Sequence, residues 1–89
     1  MSKLRDTFEI CNEKGLHARA ATRFVKMAAT FNSNVLVYRG DTKANGNSVM
    51  SLLILAAPCG SSVDVEVEGA DAKEALSALG GLILRGFEE

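Results

Sequence analysis

Histidine is almost missing from this chain: His17 is the single one among 89 residues. The two cysteines, Cys11 and Cys59, stand far apart and form no C-x-x-C pair. One histidine and two separated thiols are too few to build a zinc site, so no metal is expected. The thiols read as small, semi-buried apolar residues or idle groups. Long apolar runs are missing as well. Nothing approaches the roughly 20 apolar residues of a membrane helix. The opening Met1-Ser2-Lys3-Leu4-Arg5-Asp6 lacks the apolar core of a signal peptide. A cytoplasmic protein with no membrane insertion is the expectation. Neither sign of charge dominates, with 10 Lys and Arg against 11 Asp and Glu and a net charge of -1. Such a balance gives no general reason to expect nucleic acid or an anionic membrane as partner, although a local basic face can still matter. The length suits one domain, residues 1–89, with a modest core and no staples.

The one histidine is well placed. Asn12-Glu13-Lys14-Gly15 reads as a turn, and Ala18 to Thr30 has the spacing of an amphipathic helix. His17 therefore sits where a loop becomes a helix, beside backbone N–H groups that have no intrahelical partner. Free donors and the positive end of the helix dipole make such a terminus an anion site. The same positive end disfavours imidazolium, leaving a neutral ring nitrogen near pH 7. A nucleophilic nitrogen beside an anion site suits acceptance of a phosphoryl group, and Arg19 adds a planar cationic donor for phosphate oxygens. A lone histidine at a helix start also reads as a plain cap, and the rest of the chain has to decide between the two.

Thr7-Phe8-Glu9-Ile10 alternates as a short half-buried strand. In the first helix Ala21, Phe24, Val25 and Ala28 form a core stripe, while Arg19, Arg23 and Lys26 share another face in line with His17. That basic face is either a solvated surface or a docking surface for acidic partners. Val35-Leu36-Val37-Tyr38 is a strand. Arg39-Gly40-Asp41 turns it into Thr42-Lys43-Ala44-Asn45, whose polar composition suits a sheet edge. Ser48, or Asn47, caps a second helix from Val49 to Ala57, stopped by Pro58-Cys59-Gly60. Leu52, Leu55 and Ala56 face its core. Val49, Met50 and Leu53 are then left partly exposed as a docking patch, unless the helix is sunk in the core. Val63, Val65 and Val67 alternate with Asp64, Glu66 and Glu68, giving a sheet with one packed and one wet face. Asp71 and Glu74 resemble a capping box. They open a helix striped by Ala72, Ala75, Leu76, Leu79, Leu82 and Ile83. Gly80-Gly81 weakens that helix unless close packing requires it. Gly86 ends it, with Phe87 placed to fold back.

The order β-α-β-β-α-β-α with a polar sheet face implies an α+β fold, an antiparallel sheet with the helices on its other face. Gly15-Leu16-His17-Ala18-Arg19-x-Ala21 resembles the active-site motif of the HPr family, the histidine-containing phosphocarriers of the bacterial phosphotransferase system. Asn47-Ser48-Val49-Met50-x-Leu52-Leu53 resembles the family's second-helix motif. Glu68-Gly69-Ala70-Asp71-x-x-Glu74-Ala75-Leu76 with Gly86-Phe87-Glu88-Glu89 is similar to its end. The three lie in order across essentially the whole chain. Asn-Ser-Val followed by Leu-Leu is also similar to the nitrogen-related NPr branch.

This resemblance implies an open-faced β-sandwich, four antiparallel strands covered by three helices. It implies that His17 accepts a phosphoryl group on Nδ1 from phospho-enzyme I, charged by phosphoenolpyruvate. The group then passes to a histidine or cysteine of an enzyme IIA-type component, in sugar uptake or regulation. It implies a carrier rather than an enzyme with its own turnover, and no cofactor. Arg19 and the first-turn amides hold the phosphate. Docking falls to Thr22, Arg23 and Lys26 and to Val49, Met50 and Leu53. Ser48 matches the regulatory serine of the family, a site for an HPr kinase/phosphorylase, beside its bland role as an N-cap. Two positions depart from the pattern. Ala20 stands where many relatives have proline, which leaves the first turn looser without removing the amides or Arg19. Asn47 replaces the lysine that often precedes the regulatory serine, which weakens kinase recognition of Ser48. No dimer seam is evident, so a monomer is expected. Two other classes compete: a regulatory module that acts by docking alone, and a ligand-binding domain of ferredoxin-like topology.

Overall fold

The three alternating valines of the clearest strand set the architecture. Val63, Val65 and Val67 are fully buried on one face, while Asp64 and Glu66 on the other meet basic side chains. A computed structural model describes residues 2–88. Its elements are β1 (Ser2–Glu9), α1 (Ala18–Ala28), β2 (Ser33–Arg39), β3 (Thr42–Asn45), α2 (Val49–Ile54), β4 (Ser62–Gly69) and α3 (Ala72–Leu84). A 3-10 turn at Gly86–Glu88 follows. The sheet is antiparallel throughout, in the order β1-β4-β2-β3. The three helices pack on its valine face and against one another. The result is the expected open-faced sandwich, with Thr42–Asn45 at an edge. None of these helices is long and apolar enough to cross a membrane.

Several elements differ from the sequence expectation. β1 runs from Ser2 rather than Thr7 and ends before Ile10. Its inward alternation, Leu4 and Phe8, is interrupted by Asp6, so the apolar pattern is weak. The outward side is instead tied to β4 by polar contacts: Arg5 to Asp64 at 2.9 Å, Lys3 to Glu66 at 3.8 Å, and the Thr7 hydroxyl to Asp64 at 2.7 Å. Ile10, fully buried beyond the strand, still pairs with the chain leading into β4 through Ile10 N–H to Ser61 O and Gly60 N–H to Ile10 O.

α1 stops at Ala28 rather than Thr30, and its buried stripe is Ala20, Ala21, Phe24 and Ala28, with Val25 only half-buried. α2 ends at Ile54, not Ala57, because Ala56 turns left-handed at φ 48°. Leu52 and Leu55 face the core as expected, but Ala56 is exposed and Ala57 takes the buried place. Asp71 does not build the capping box. Its carboxylate accepts from the Asn32 N–H at 2.8 Å and from the Ser33 hydroxyl, which ties the start of α3 to the start of β2. Both cysteines are exposed rather than semi-buried. The close packing suspected at the glycine pair holds for Gly80, where a Cβ would lie 2.3 Å from the Phe8 ring. Gly86 ends α3 and Phe87 folds back fully buried, while Glu89 lies outside the described residues.

Candidate functional site

The loop that presents His17 is fixed before the helix begins. Gly15 adopts φ 67°, and a Cβ there would sit 2.4 Å from the carbonyl oxygen of Ala57 and 2.9 Å from Cα of Pro58. Only glycine fits so close an approach in that conformation. Leu16 is buried and donates its N–H to the same Ala57 oxygen at 2.9 Å. The Asn12 side chain donates to Gly15 O at 2.7 Å, and Gly15 N–H returns to Asn12 O at 3.1 Å. With its two predecessors pinned, half-buried His17 has little freedom of direction.

His17 is the N-cap of α1, extended at φ -90° and ψ -177°. Its carbonyl accepts the first helical bond from Ala21 at 2.8 Å, and its Nδ1 accepts from the Arg19 N–H at 3.2 Å. Imidazole thus does what Ser or Asp usually does at this position. His17 is therefore a cap, and as a cap its Nδ1 faces the Arg19 amide of the first turn. The N–H groups of Ala18 and Ala20 have no helix carbonyl to meet. No acidic residue stands in the first turn to compete for them. An anionic group carried on Nδ1 would meet these donors and the positive helix end together.

Arg19 is exposed and lines an open cleft of about 600 Å³ beside the helix start. Lys14 and Arg85 are further cations on that cleft, with Glu13 the acid among its lining residues. Sequence reasoning missed Lys14 and Arg85. They meet Arg19 on this cleft from the turn before α1 and from the end of α3, which no local spacing connects.

The residues expected to dock partners divide on inspection. Lys26 is exposed in the last turn of α1. Thr22 returns its hydroxyl to Ala18 O at 2.8 Å, and Arg23 donates to Phe87 O at 2.7 Å, so Arg23 also ties α1 to the chain end. On α2, Met50 is 75% exposed, while Val49 and Leu53 are half-buried. Ile54, 73% exposed, completes this apolar patch and was not expected in it. Its position four residues after Met50 was the signal available. α1 and α2 pack against each other. Ser48 is the N-cap of α2, its hydroxyl accepting the Ser51 N–H at 3.2 Å.

Residues 4–84 match the PTS-HPr family model, described as the PTS HPr component phosphorylation site. Phosphocarrier protein HPr of Neisseria meningitidis is 44% identical over 86 residues, covering 97% of each chain. Phosphocarrier protein NPr of Shewanella violacea is 38% identical over 89 residues, covering 100% of this chain and 98% of that one. Among solved structures, HPr of Thermoanaerobacter tengcongensis superposes with a TM-score of 0.89 at 39% identity, covering 100% and 98% of the two chains. With fold, length and sequence in agreement, this chain belongs to the HPr family of phosphocarriers of the phosphotransferase system.

Proposed function

We propose that His17 accepts a phosphoryl group on Nδ1 from phospho-enzyme I and hands it to a histidine or cysteine of an enzyme IIA-type component. The observation that carries this reading is the hydrogen bond from the Arg19 N–H to His17 Nδ1 at the start of α1. The lone pair that receives the phosphorus already points at a first-turn amide. As the new N–P bond forms and the bond to the donor residue breaks, that amide passes from nitrogen to a phosphoryl oxygen, and the neighbouring first-turn amides donate to the others. Charge on the transferred group is spread over its oxygens, so positioned N–H donors and the Arg19 guanidinium supply what the transfer needs. His17 starts each cycle unphosphorylated and ends it unphosphorylated, which makes the protein a relay.

Donor and acceptor dock on the adjoining surfaces of α1 and α2: Thr22, Arg23 and Lys26 on one side, and Val49, Met50, Leu53 and Ile54 on the other. Apolar contact supplies affinity, and the basic residues steer encounter with acidic partners. The protein acts as a cytoplasmic monomer, serving sugar uptake or regulation according to the enzyme II component it meets. A phosphate on Ser48 would place up to about two negative charges beside this surface and weaken enzyme I docking.

Incubation with phosphoenolpyruvate, magnesium and enzyme I of the same organism should add a single acid-labile phosphate by intact mass. His17→Ala should add none while still binding enzyme I. No uptake by the unaltered protein would overturn the carrier reading, leaving a docking module in its place.

A further inference from the structure

Arg39, the last residue of β2, belongs to none of the surfaces above. Its Nη1 nevertheless reaches the end of α2 and donates to two carbonyls, Leu55 O at 3.1 Å and Ala56 O at 3.2 Å. The last carbonyls of a helix have no intrahelical donor, and a guanidinium is well suited to collect them. Ala56 needs such a partner. It is exposed, so burial does not hold it, and its φ of 48° is one that alanine rarely adopts. Residues in sparsely populated conformations persist only where their surroundings over-determine them.

The turn at Ala56 has a consequence one residue later. It aims the carbonyl of buried Ala57 at the Leu16 N–H, 2.9 Å away, and the same oxygen closes against Gly15. Leu16 directly precedes His17. An unbroken series of contacts therefore runs from Arg39 through Leu55 and Ala56 to Ala57, then Leu16, then His17.

We infer that Arg39 is a positioning residue for phosphoryl transfer: by clamping the end of α2 it holds Ala56 left-handed, and through Ala57 O it fixes the backbone that aims His17. The inference rests on the reading that His17 carries the phosphoryl group. Reacting atoms must meet nearly in line, and a displacement of about 1 Å can cost on the order of a hundredfold in rate. The clamp lies next to Ile54 as well, so a role in docking alone would raise KM for the carrier and leave kcat unchanged.

Two measurements test the clamp on folded protein. One is the rate of phosphorylation by enzyme I against carrier concentration. The other is hydrogen exchange of the Leu16 amide, which needs no activity. Arg39→Ala should lower kcat by about tenfold and speed Leu16 exchange by a similar factor, the scale of one lost hydrogen-bonded brace. Arg39→Lys, which keeps a cation without the rigid fork, should fall between. Adding Ala56→Gly to Arg39→Ala should restore most of both, because glycine holds the left-handed turn without a clamp. A general loss of stability would instead speed exchange across the whole sheet and not at Leu16 alone. Unchanged kcat and unchanged Leu16 exchange in Arg39→Ala overturn the inference, and so does a loss that Ala56→Gly leaves untouched. Should the unaltered protein take no phosphate, the function proposed above fails, while Leu16 exchange still decides whether the clamp exists.

Discussion

Arg19 contributes to the candidate site through two chemically separable parts. Its backbone N–H holds His17 Nδ1 at 3.2 Å, whereas its guanidinium stands exposed on the cleft shared with Lys14 and Arg85. Arg19→Ala removes the second part and keeps the first. We expect phosphate uptake to slow by about a hundredfold, the lower end of the range for losing one donor to a charged transition state. The thermal midpoint should hardly move, because the side chain is exposed. A variant as fast as the unaltered protein would assign the anion to the amides alone. His17 and Arg19 could be read directly from the chain because loop, cap and first turn are consecutive residues, so the site is built locally. Lys14, Arg85 and Ile54 could not. The cleft exists only once the end of α3 packs beside the turn before α1, and Ile54 is exposed only because α2 stops where it does.

Gly80 and Gly81 are neighbours in α3 with opposite expectations. A Cβ on Gly80 would enter the Phe8 ring at 2.3 Å, so helix and strand are closer here than any side chain allows. Gly80→Ala should cost about 1–3 kcal/mol as Phe8 is displaced. At Gly81 a Cβ meets only the end of the Arg85 side chain at 3.0 Å, which can move aside. Gly81→Ala should stabilise by up to about 1 kcal/mol through helix propensity and a less flexible unfolded chain. Urea midpoints of the two variants measure this, and a shared sign would refute the packing account. On α2, Met50→Asp should raise KM for enzyme I several-fold at unchanged stability, since Met50 is 75% exposed and its loss opens no cavity. Elements with strong internal periodicity, β4 and the stripe of α3, were legible in the sequence to within a residue or two. At β1, α2 and the start of α3 the differences share one cause: the deciding partner lies elsewhere in the chain. β1 is completed by the acids of β4, α2 is ended by contacts with Arg39 and Leu16, and Asp71 is drawn from its own helix to Asn32 and Ser33.

Those distant partners also set how the whole molecule responds to acid. Asp64 on β4 is held below the ordinary aspartate range by the Thr7 hydroxyl first and Arg5 second. Asp71 is lowered by the Ser33 hydroxyl first and the Asn32 N–H second. A folded-state pKa below the unfolded one means that the unfolded chain binds protons first as pH falls. The stability these groups supply is therefore complete above the unfolded value. It is lost as pH drops below about 4, through the lower folded values. Because the leading cause at both sites is a neutral hydroxyl rather than an opposite charge, screening should remove little of it. Salt at about 1 M, with a Debye length of about 3 Å, weakens the exposed Arg5 pair but leaves the donated hydrogen bonds in place. Urea midpoints should thus be insensitive to these two groups between about pH 5 and 7 and fall with acid below about pH 4. That fall should persist in high salt. In Asp64→Asn combined with Asp71→Asn it should be shallower, from a lower starting stability, because neither side chain then titrates. A slope that disappears in high salt would shift the assignment to ion pairs, with Arg5 as the principal partner. An unchanged slope in the double variant would place the acid response on other carboxylates and leave the two ties, β1 to β4 and α3 to β2, without a role in it.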